Sequence, residues 1–150
     1  MMSESENEVA VILASHGYFA QEALKSAEMI VGKQKNCATF SVTEEMSLKE
    51  ARNQLFNIYN SLETKKGTVI LVDILGGTPS NVSGALCLQT DNTVVLSGLN
   101  MPMLLDLFTN RTRSLKSIAK LLKNAYQLGF KNISDTLTEK RQDNNGSSFL

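Results

Sequence analysis

The sequence predicts a doubly wound α/β domain, and three observations lead to that fold class. Apolar, β-branched runs alternate along the chain with segments whose apolar residues recur every three or four positions. The run at residues 9–14 is apolar at every position, which is typical of a parallel strand covered on both faces. The chain has 150 residues, of which 42% are hydrophobic, and this suffices for one domain with a substantial core.

The predicted elements follow one another in the order βαβαβαβαα. Strands are expected at residues 9–14, 36–43, 68–73 and 93–97. Helices are expected at residues 19–31, 47–65, from 79 onward, 102–108 and 115–128. Each strand–helix–strand step favours a right-handed crossover and parallel pairing. The prediction is therefore a flavodoxin-like, mainly parallel four-stranded sheet with helices on both faces.

Several residues mark where the predicted helices begin and end. Gly32 follows the first helix as its C′ residue. Ser47 and Glu50 have the spacing of a capping box, in which each side chain bonds the backbone N–H of the other. Thr78 is expected at the N-cap of the third helix, with Pro79 at its first helical position.

Composition limits the classes of partner. Fifteen basic and fifteen acidic residues give a net charge of zero, so the sequence predicts no nucleic-acid partner. The acidic start lacks the features of a secretory signal, and the two cysteines have no metal or redox spacing, so a cytoplasmic location is expected. Residues 1–8 are predicted to be flexible, residues 9–135 to form the domain, and residues 136–150 to be a disordered polar tail.

His16 is the single histidine of the chain, and it lies at the end of the first predicted strand, just before Gly17. Asp73 ends the third strand and is followed within a few residues by Gly76, Gly77 and Thr78. In open parallel sheets, ligands bind beyond the carboxyl ends of the strands where the strand order reverses. If the first and third strands are neighbours, His16 and Asp73 face one another at that point.

This combination of residue types suits phosphoryl transfer. A carboxylate that accepts a hydrogen bond from one imidazole nitrogen leaves the other nitrogen free as a nucleophile. Glycines allow backbone N–H groups to approach phosphate oxygens, and a helix N-terminus favours negative charge. Gly17, Gly76, Gly77 and Thr78 are the candidate phosphate-binding residues, and the hydroxyl of Ser80 is a further possible donor.

Taken singly, each feature has a plainer explanation. His16 could be an ordinary polar loop residue, Asp73 could cap a turn, and the Gly-Gly-Thr-Pro run could simply begin a helix. The functional interpretation depends on all three falling at one edge of the sheet. No strand end carries a serine nucleophile elbow, a Walker lysine or a metal cluster, so neither a metal nor another cofactor is predicted. Arg111 and Arg113 are expected to be solvated, with a part in a docking surface as the alternative.

The motifs resemble those of the IIA components of the mannose-type sugar phosphotransferase system. The similarity covers about residues 9–128 and is carried by four segments. These are Ser-His-Gly at 15–17, Ala-Glu-Met-Ile-Val-Gly at 27–32, Leu-Val-Asp-Ile-Leu-Gly-Gly-Thr-Pro-Ser-Asn at 71–81, and Ser-Gly-Leu-Asn-Met-Pro-Met-Leu-Leu at 97–105.

The resemblance implies a phosphohistidine relay. His16 would accept a phosphoryl group on Nε2 from phospho-HPr, with Nδ1 facing Asp73, and would pass it to a histidine of a IIB component. The IIB component then phosphorylates the sugar during uptake through the IIC and IID permease. Since a IIA protein of this family never touches the sugar, mannose, fructose, sorbose, gluconate and amino sugars all fit. The family also implies a homodimer that shares an antiparallel C-terminal edge strand, expected here at residues 131–134.

Two departures from the family and two alternative functions accompany this interpretation. Some relatives have a tryptophan at the position of Leu75, so the rim of the site is expected to be less aromatic here. Some relatives continue into a IIB domain, whereas this sequence stops at Leu150, which predicts a IIB component on a separate chain.

The two alternative functions are a phosphotransfer subunit for dihydroxyacetone kinase and a non-catalytic module that binds a small anion.

Overall fold

The computed structural model describes residues 4–143, and within them the chain forms four strands and seven helices. In chain order these are α1 (Glu4–Asn7), β1 (Ala10–His16), α2 (Phe19–Val31), β2 (Cys37–Val42), α3 (Leu48–Asn60), β3 (Thr68–Val72), α4 (Thr78–Gln89), β4 (Thr93–Ser97), α5 (Met101–Phe108), α6 (Leu115–Leu128) and α7 (Ile133–Gln142). The predictions for residues 1–3 and 144–150 lie outside the described residues.

The four strands form one sheet in the order β2-β1-β3-β4, and all three neighbouring pairs are parallel. After β1 the chain adds β2 on one side, and it then returns to add β3 and β4 on the other side. The strand order therefore reverses between β1 and β3, which is where sheets of this kind bind ligands. The predicted doubly wound, parallel four-stranded sheet is confirmed.

Helices cover both faces of the sheet. Val11 and Leu13 of β1 belong to a core layer that also contains buried residues of α2, α5 and α6. Ile12 and Ala14 point to the opposite layer, where they pack with buried residues of α3 and α4. Six consecutive residues of β1 are buried, as the uninterrupted apolar run predicts. Among the described residues, no helix is both long enough and apolar enough for a membrane crossing.

The helix boundaries agree with the sequence at the capping box and differ elsewhere. Ser47 Oγ accepts the Glu50 backbone N–H at 3.1 Å, and the Glu50 carboxylate accepts the Ser47 backbone N–H at 3.4 Å. The predicted end of α3 near residue 65 is wrong, since the helix ends at Asn60. The reason is Asn36, whose side-chain amide bonds both the N–H and the C=O of Glu63 at 2.8 Å and so holds that backbone outside the helix.

The chain beyond Gly129 differs most from the prediction. Residues 131–134 do not form an edge strand, because α7 begins at Ile133. Asn132 caps this helix by accepting the Asp135 backbone N–H at 3.1 Å, which favours a helical start. The described part of the predicted disordered tail, residues 136–143, is helical up to Gln142, and the segment Glu4–Asn7 near the N-terminus is also helical.

Arg111 is buried, with an exposed fraction of 4%, so the expectation that it is solvated is wrong. Its guanidinium donates to the backbone carbonyl oxygens of Val9 at 2.7 Å, Lys35 at 2.6 Å and Asn36 at 2.9 Å. These carbonyls belong to the loops that lead into β1 and β2. Arg111 therefore joins the amino-terminal ends of two neighbouring strands, at the edge of the sheet opposite to His16.

Candidate functional site

The first and third strands bring His16 and Asp73 together. His16 is the last residue of β1, and Asp73 immediately follows β3. The two strands are paired so that Ala14 lies beside Val72. The Asp73 backbone N–H then donates to the Ala14 carbonyl at 3.1 Å and extends this pairing by one residue. The predicted meeting of His16 and Asp73 at the reversal point thus follows from strand order and register.

One oxygen of Asp73 bonds His16 twice. Oδ2 accepts the His16 backbone N–H at 2.9 Å and lies 2.8 Å from the ring Nδ1. The other oxygen, Oδ1, accepts the Ile74 backbone N–H at 2.9 Å. The carboxylate is thereby held at both oxygens, and it fixes the backbone and the ring of His16 together.

These contacts keep Asp73 ionised. Burial raises the pKa of the Asp73 carboxyl, but it is outweighed by hydrogen bonds from the His16 backbone, the His16 ring and the Ile74 backbone. The net result is a pKa below the ordinary value of 3.8. Only 16% of the Asp73 side chain is exposed, so water competes weakly for these bonds.

The ionised carboxylate decides which ring nitrogen carries the proton. A carboxylate has no hydrogen to donate, so the 2.8 Å contact requires Nδ1 to be the donor. In the neutral ring Nε2 then has a free lone pair. The His16 side chain is 53% exposed, and a reaction partner can reach it from solvent.

Gly77 lies directly against the reactive edge of the His16 ring. A Cβ atom built on Gly77 would be 2.5 Å from Cε1 and 2.9 Å from Nε2 of His16, closer than real side chains approach. Gly77 is also the N-cap residue of α4, and no side chain caps that helix start. The first backbone N–H groups of a helix lack partners within the helix. Nε2 therefore lies beside a helix N-terminus that favours negative charge.

The other predicted phosphate-binding residues, Gly76, Thr78 and Gly17, have different structural roles. Gly76 is exposed and has a φ of +91°, a conformation that favours glycine. Thr78 is the first residue of α4 and not its N-cap, so the helix begins one residue earlier than predicted. Gly17 has a φ of +56°, and its N–H donates to the Val42 carbonyl at 2.8 Å. That N–H is used within the fold, which leaves Gly17 as a turn residue beside His16.

Ser15 supports the turn after His16, a role that sequence reasoning missed. Ser15 is fully buried, and its Oγ accepts the Ala20 backbone N–H at 2.8 Å and donates to the Gly17 carbonyl at 3.1 Å. Its signal in the sequence is a serine that directly follows the apolar run of residues 9–14 and precedes His16.

An apolar surface flanks the site. Tyr18 and Phe19 follow His16 closely in the chain, and their exposed fractions are 62% and 53%. Ile74 and Leu75 follow Asp73, with 59% and 79% exposed. Large apolar side chains exposed next to a reactive group are typical of a protein-docking surface. Among residues 4–143, no group of three or more His, Cys, Asp or Glu side chains is arranged to hold a metal ion.

Residues 10–126 match the protein-family model EIIA-man, described as the PTS system fructose IIA component, where PTS is the phosphotransferase system. This chain belongs to that family. The mannose-type resemblance inferred from the motifs is thereby confirmed, and the protein is a IIA-type phosphotransferase-system component.

Named relatives of this IIA-type chain agree with the match. It is 32% identical over 102 residues to the PTS system mannose-specific EIIAB component of Escherichia coli strain K12, a match that covers 65% of this chain and 30% of that protein. The chain thus matches less than a third of the length of that relative. It is 25% identical over 137 residues to the PTS system fructose-specific EIIA component of Bacillus subtilis, covering 91% of this chain and 94% of that one.

Solved structures show the same fold. The phosphotransferase system component EIIA from Streptococcus agalactiae superposes with a TM-score of 0.77 at 30% identity, over 85% of this chain and 98% of that one. A mannose/sorbose specific IIA subunit from Enterococcus faecalis gives 0.76 at 29% identity, over 83% and 94% of the two chains.

Proposed function

We propose that this protein carries a phosphoryl group on Nε2 of His16, which it accepts from phospho-HPr and passes to a IIB component. The observation that carries the proposal is the 2.8 Å contact between Nδ1 and Asp73 Oδ2, because in the neutral ring it leaves the lone pair of Nε2 free, beside Gly77. The IIB component would serve a IIC/IID permease in sugar uptake.

The chemistry requires no proton transfer at the attacking nitrogen. The lone pair of Nε2 attacks the phosphorus of phospho-HPr, the new N–P bond forms, and the bond to HPr breaks. The ring becomes positively charged, and the Asp73 carboxylate stabilises that charge through the bond to Nδ1–H. Onward transfer to the IIB component reverses these events at Nε2.

The loop between β3 and α4 would bind the phosphoryl oxygens. Gly76 and Gly77 expose backbone there, and Thr78 adds a hydroxyl and a first-turn N–H at the start of α4. We do not assign Gly17 as an amide donor, since its N–H is bonded to Val42. Backbone donors hold a phosphoryl group less firmly than an arginine or a metal ion would, which suits a relay that must also release it.

Partner proteins would dock around His16. The exposed side chains of Tyr18, Phe19, Ile74 and Leu75 supply apolar area beside the reactive nitrogen. HPr and the IIB component would use this surface in turn, because both must bring a histidine to the same atom.

The family resemblance implies a homodimer, and we propose that the two copies associate along β4. β4 is an edge strand of the sheet, and the groove beside it is lined by Leu96, Met103 and Tyr126 among others. Phe130 lies close by in the chain and is 82% exposed. In analytical ultracentrifugation, the wild type should sediment as a dimer and Phe130→Glu should shift toward monomer, whereas a monomeric wild type would contradict this part of the proposal.

The cytoplasmic location belongs to the same proposal. Cys37 and Cys87 are both free thiols in the structure. Free cysteines are typical of a reducing compartment.

The experiment that tests the relay is phosphorylation in a purified system. The protein is mixed with phosphoenolpyruvate, enzyme I and HPr, and its intact mass is measured before and after acid treatment. We expect an acid-labile gain of one phosphoryl group that is absent in His16→Ala. A gain that persists in His16→Ala would contradict the proposal. Saturable anion binding with no covalent phosphate would favour the binding-module alternative.

The kinase alternative needs a separate comparison of acceptors. The phosphorylated protein is offered a sugar-specific IIB component and, in parallel, a dihydroxyacetone kinase. We expect transfer to the IIB component. Exclusive transfer to the kinase would instead favour the alternative.

A further inference from the structure

Ser15 has an unusual position for a hydroxyl. It is fully buried next to the end of β1, after five residues of the strand that are all apolar and buried. A buried hydroxyl is unfavourable unless it is hydrogen-bonded. Ser15 Oγ makes two such bonds, from the Ala20 N–H at 2.8 Å and to the Gly17 carbonyl at 3.1 Å. The side chain thus connects the strand before His16 to the turn and helix after it.

Hydrogen bonds hold the backbone on both sides of His16, and the Ser15 hydroxyl contributes to the far side. On the far side of His16, Gly17 is held at its carbonyl by Ser15 and at its N–H by Val42, and it has a left-handed φ of +56°. On the near side, the His16 N–H is held by Asp73. With its own N–H and the next peptide both anchored, His16 has little freedom in the direction of its Cα–Cβ bond. That direction decides whether Nδ1 reaches Asp73.

A helix cap alone would also account for part of this arrangement. The N-cap position of α2 is Tyr18, which makes no side-chain cap bond, and Ser15 supplies the missing acceptor from outside the helix. A cap would stabilise the protein without affecting the imidazole ring. The bond from Ser15 Oγ to the Gly17 carbonyl is additional, and it acts on the turn that orients His16.

We infer that Ser15 is a positioning residue for the relay: its hydroxyl fixes the turn after His16 and thereby keeps the ring in the Nδ1–H form that bonds Asp73. The inference rests on the proposed function for its consequence in phosphotransfer, and on the geometry alone for its effect on the ring. Loss of the hydroxyl should reduce the population of the Nδ1–H form and slow phosphorylation.

The test uses the fact that His16 is the single histidine of the chain. The ¹⁵N chemical shifts of one imidazole report which nitrogen carries the proton in the neutral ring. The variants are Ser15→Ala and Ser15→Thr, which restores the hydroxyl. The matched control is Ser83→Ala, since Ser83 is also fully buried but its Oγ has no hydrogen-bond partner among the described residues. Phosphorylation by phospho-HPr is measured on the same samples.

We expect Ser15→Ala to reduce the Nδ1–H population and to lower kcat about tenfold with KM for phospho-HPr unchanged. Ser15→Thr and Ser83→Ala should both stay within about twofold of wild type, the scale of ordinary context effects. If Ser15→Ala fails to fold, Ser15→Cys replaces it with the same expectation, because a thiol keeps the volume but accepts hydrogen bonds weakly.

Three results would overturn the inference. They are wild-type ring shifts in Ser15→Ala, an equal change in Ser83→Ala, and a Ser15→Thr that behaves like Ser15→Ala. The ring shifts are read without any phosphate donor. If the wild-type protein is never phosphorylated, the proposed function is contradicted. The effect of Ser15 on the ring is still decided by the ¹⁵N chemical shifts.

Discussion

Asp73 Oδ2 accepts hydrogen bonds from two nitrogens of one residue, the backbone N of His16 at 2.9 Å and its ring Nδ1 at 2.8 Å. Oδ1 accepts the Ile74 N–H at 2.9 Å. Both oxygens of Asp73 must therefore be acceptors at the same time. An ionised carboxylate, which is an acceptor at both oxygens and has no hydrogen in the way, suits this requirement best.

Asp73→Asn tests that requirement. An amide has one acceptor oxygen, so either orientation of the asparagine places its NH₂ group against a donor, at His16 or at Ile74. We expect phosphorylation of His16 to slow by about 10²- to 10⁴-fold, because the ring loses its fixed proton position. Rapid-quench kinetics with phospho-HPr measure the rate at which His16 is phosphorylated. The control is Asp91→Asn, an exposed turn residue before β4, which should behave as wild type. Unchanged phosphorylation and onward transfer in Asp73→Asn would contradict the role of Asp73.

The lowered pKa of Asp73 leads us to expect that the stability of the protein depends on pH. The folded protein holds the pKa of Asp73 below its ordinary value of 3.8, so folding is favoured by the ionised form. That contribution is fully present above pH 3.8 and is lost as the pH falls through the folded-state pKa. We expect the difference in free energy of unfolding between wild type and Asp73→Asn to be constant at neutral pH and to shrink below pH 3.8. Urea denaturation across pH measures it, and a difference that grows on acidification would contradict the assignment.

Gly77 predicts a steric effect on the nucleophile. A Cβ at this position would lie 2.5 Å from Cε1 of His16, so Gly77→Ala must push the ring away from Asp73 or shift the loop. We expect phosphorylation to fall by at least about tenfold while the protein stays folded. Gly84→Ala is the matched control in the same helix, where a Cβ meets nothing within 4 Å. It should keep full activity and gain about 0.5–1 kcal/mol of stability. Equal activities of the two variants would contradict the placement of Gly77 against Nε2.

The positions of His16 and Asp73 could be predicted from local sequence patterns, because both residues lie at the ends of strands that the patterns identify. Apolar runs form β1 and β3. These two strands are neighbours at the point where the strand order reverses, and their pairing brings His16 beside Asp73. The glycines of the site, Gly17, Gly76 and Gly77, can be recognised in the sequence, although their roles differ. Gly77 contacts the ring, whereas Gly17 has already used its N–H on Val42, a contact set by the pairing of β1 with β2. Sequence spacing alone could not separate these two roles.

The wrong predictions have two origins. One came from the family resemblance and not from the local sequence, and others concern residues whose contacts form only when the chain has folded. The expected edge strand at residues 131–134 came from the family, while the chain itself has an N-cap at Asn132 and apolar residues Ile133 and Leu137 at helical spacing. Ser15 looked unremarkable because its partners, Gly17 and Ala20, become adjacent only once the turn has formed. Arg111 looked solvated because its acceptors come from distant parts of the chain.

Arg111 gives a prediction about stability that is separate from the site. Its guanidinium bonds the carbonyls of Val9, Lys35 and Asn36, and its removal takes a donor from all three, of which Asn36 also accepts a backbone bond, from the Val11 N–H. We expect Arg111→Ala to lower the free energy of unfolding by roughly 2–5 kcal/mol. The exposed Arg113→Ala should change it by no more than about 0.5 kcal/mol. Because Arg111 lies at the opposite end of β1 from His16, the folded fraction of Arg111→Ala should be phosphorylated at the wild-type rate. Urea denaturation and rapid-quench kinetics check the two halves of this prediction. Equal stabilities of the Arg111 and Arg113 variants would contradict the first half, and a folded but unphosphorylated Arg111→Ala would contradict the second.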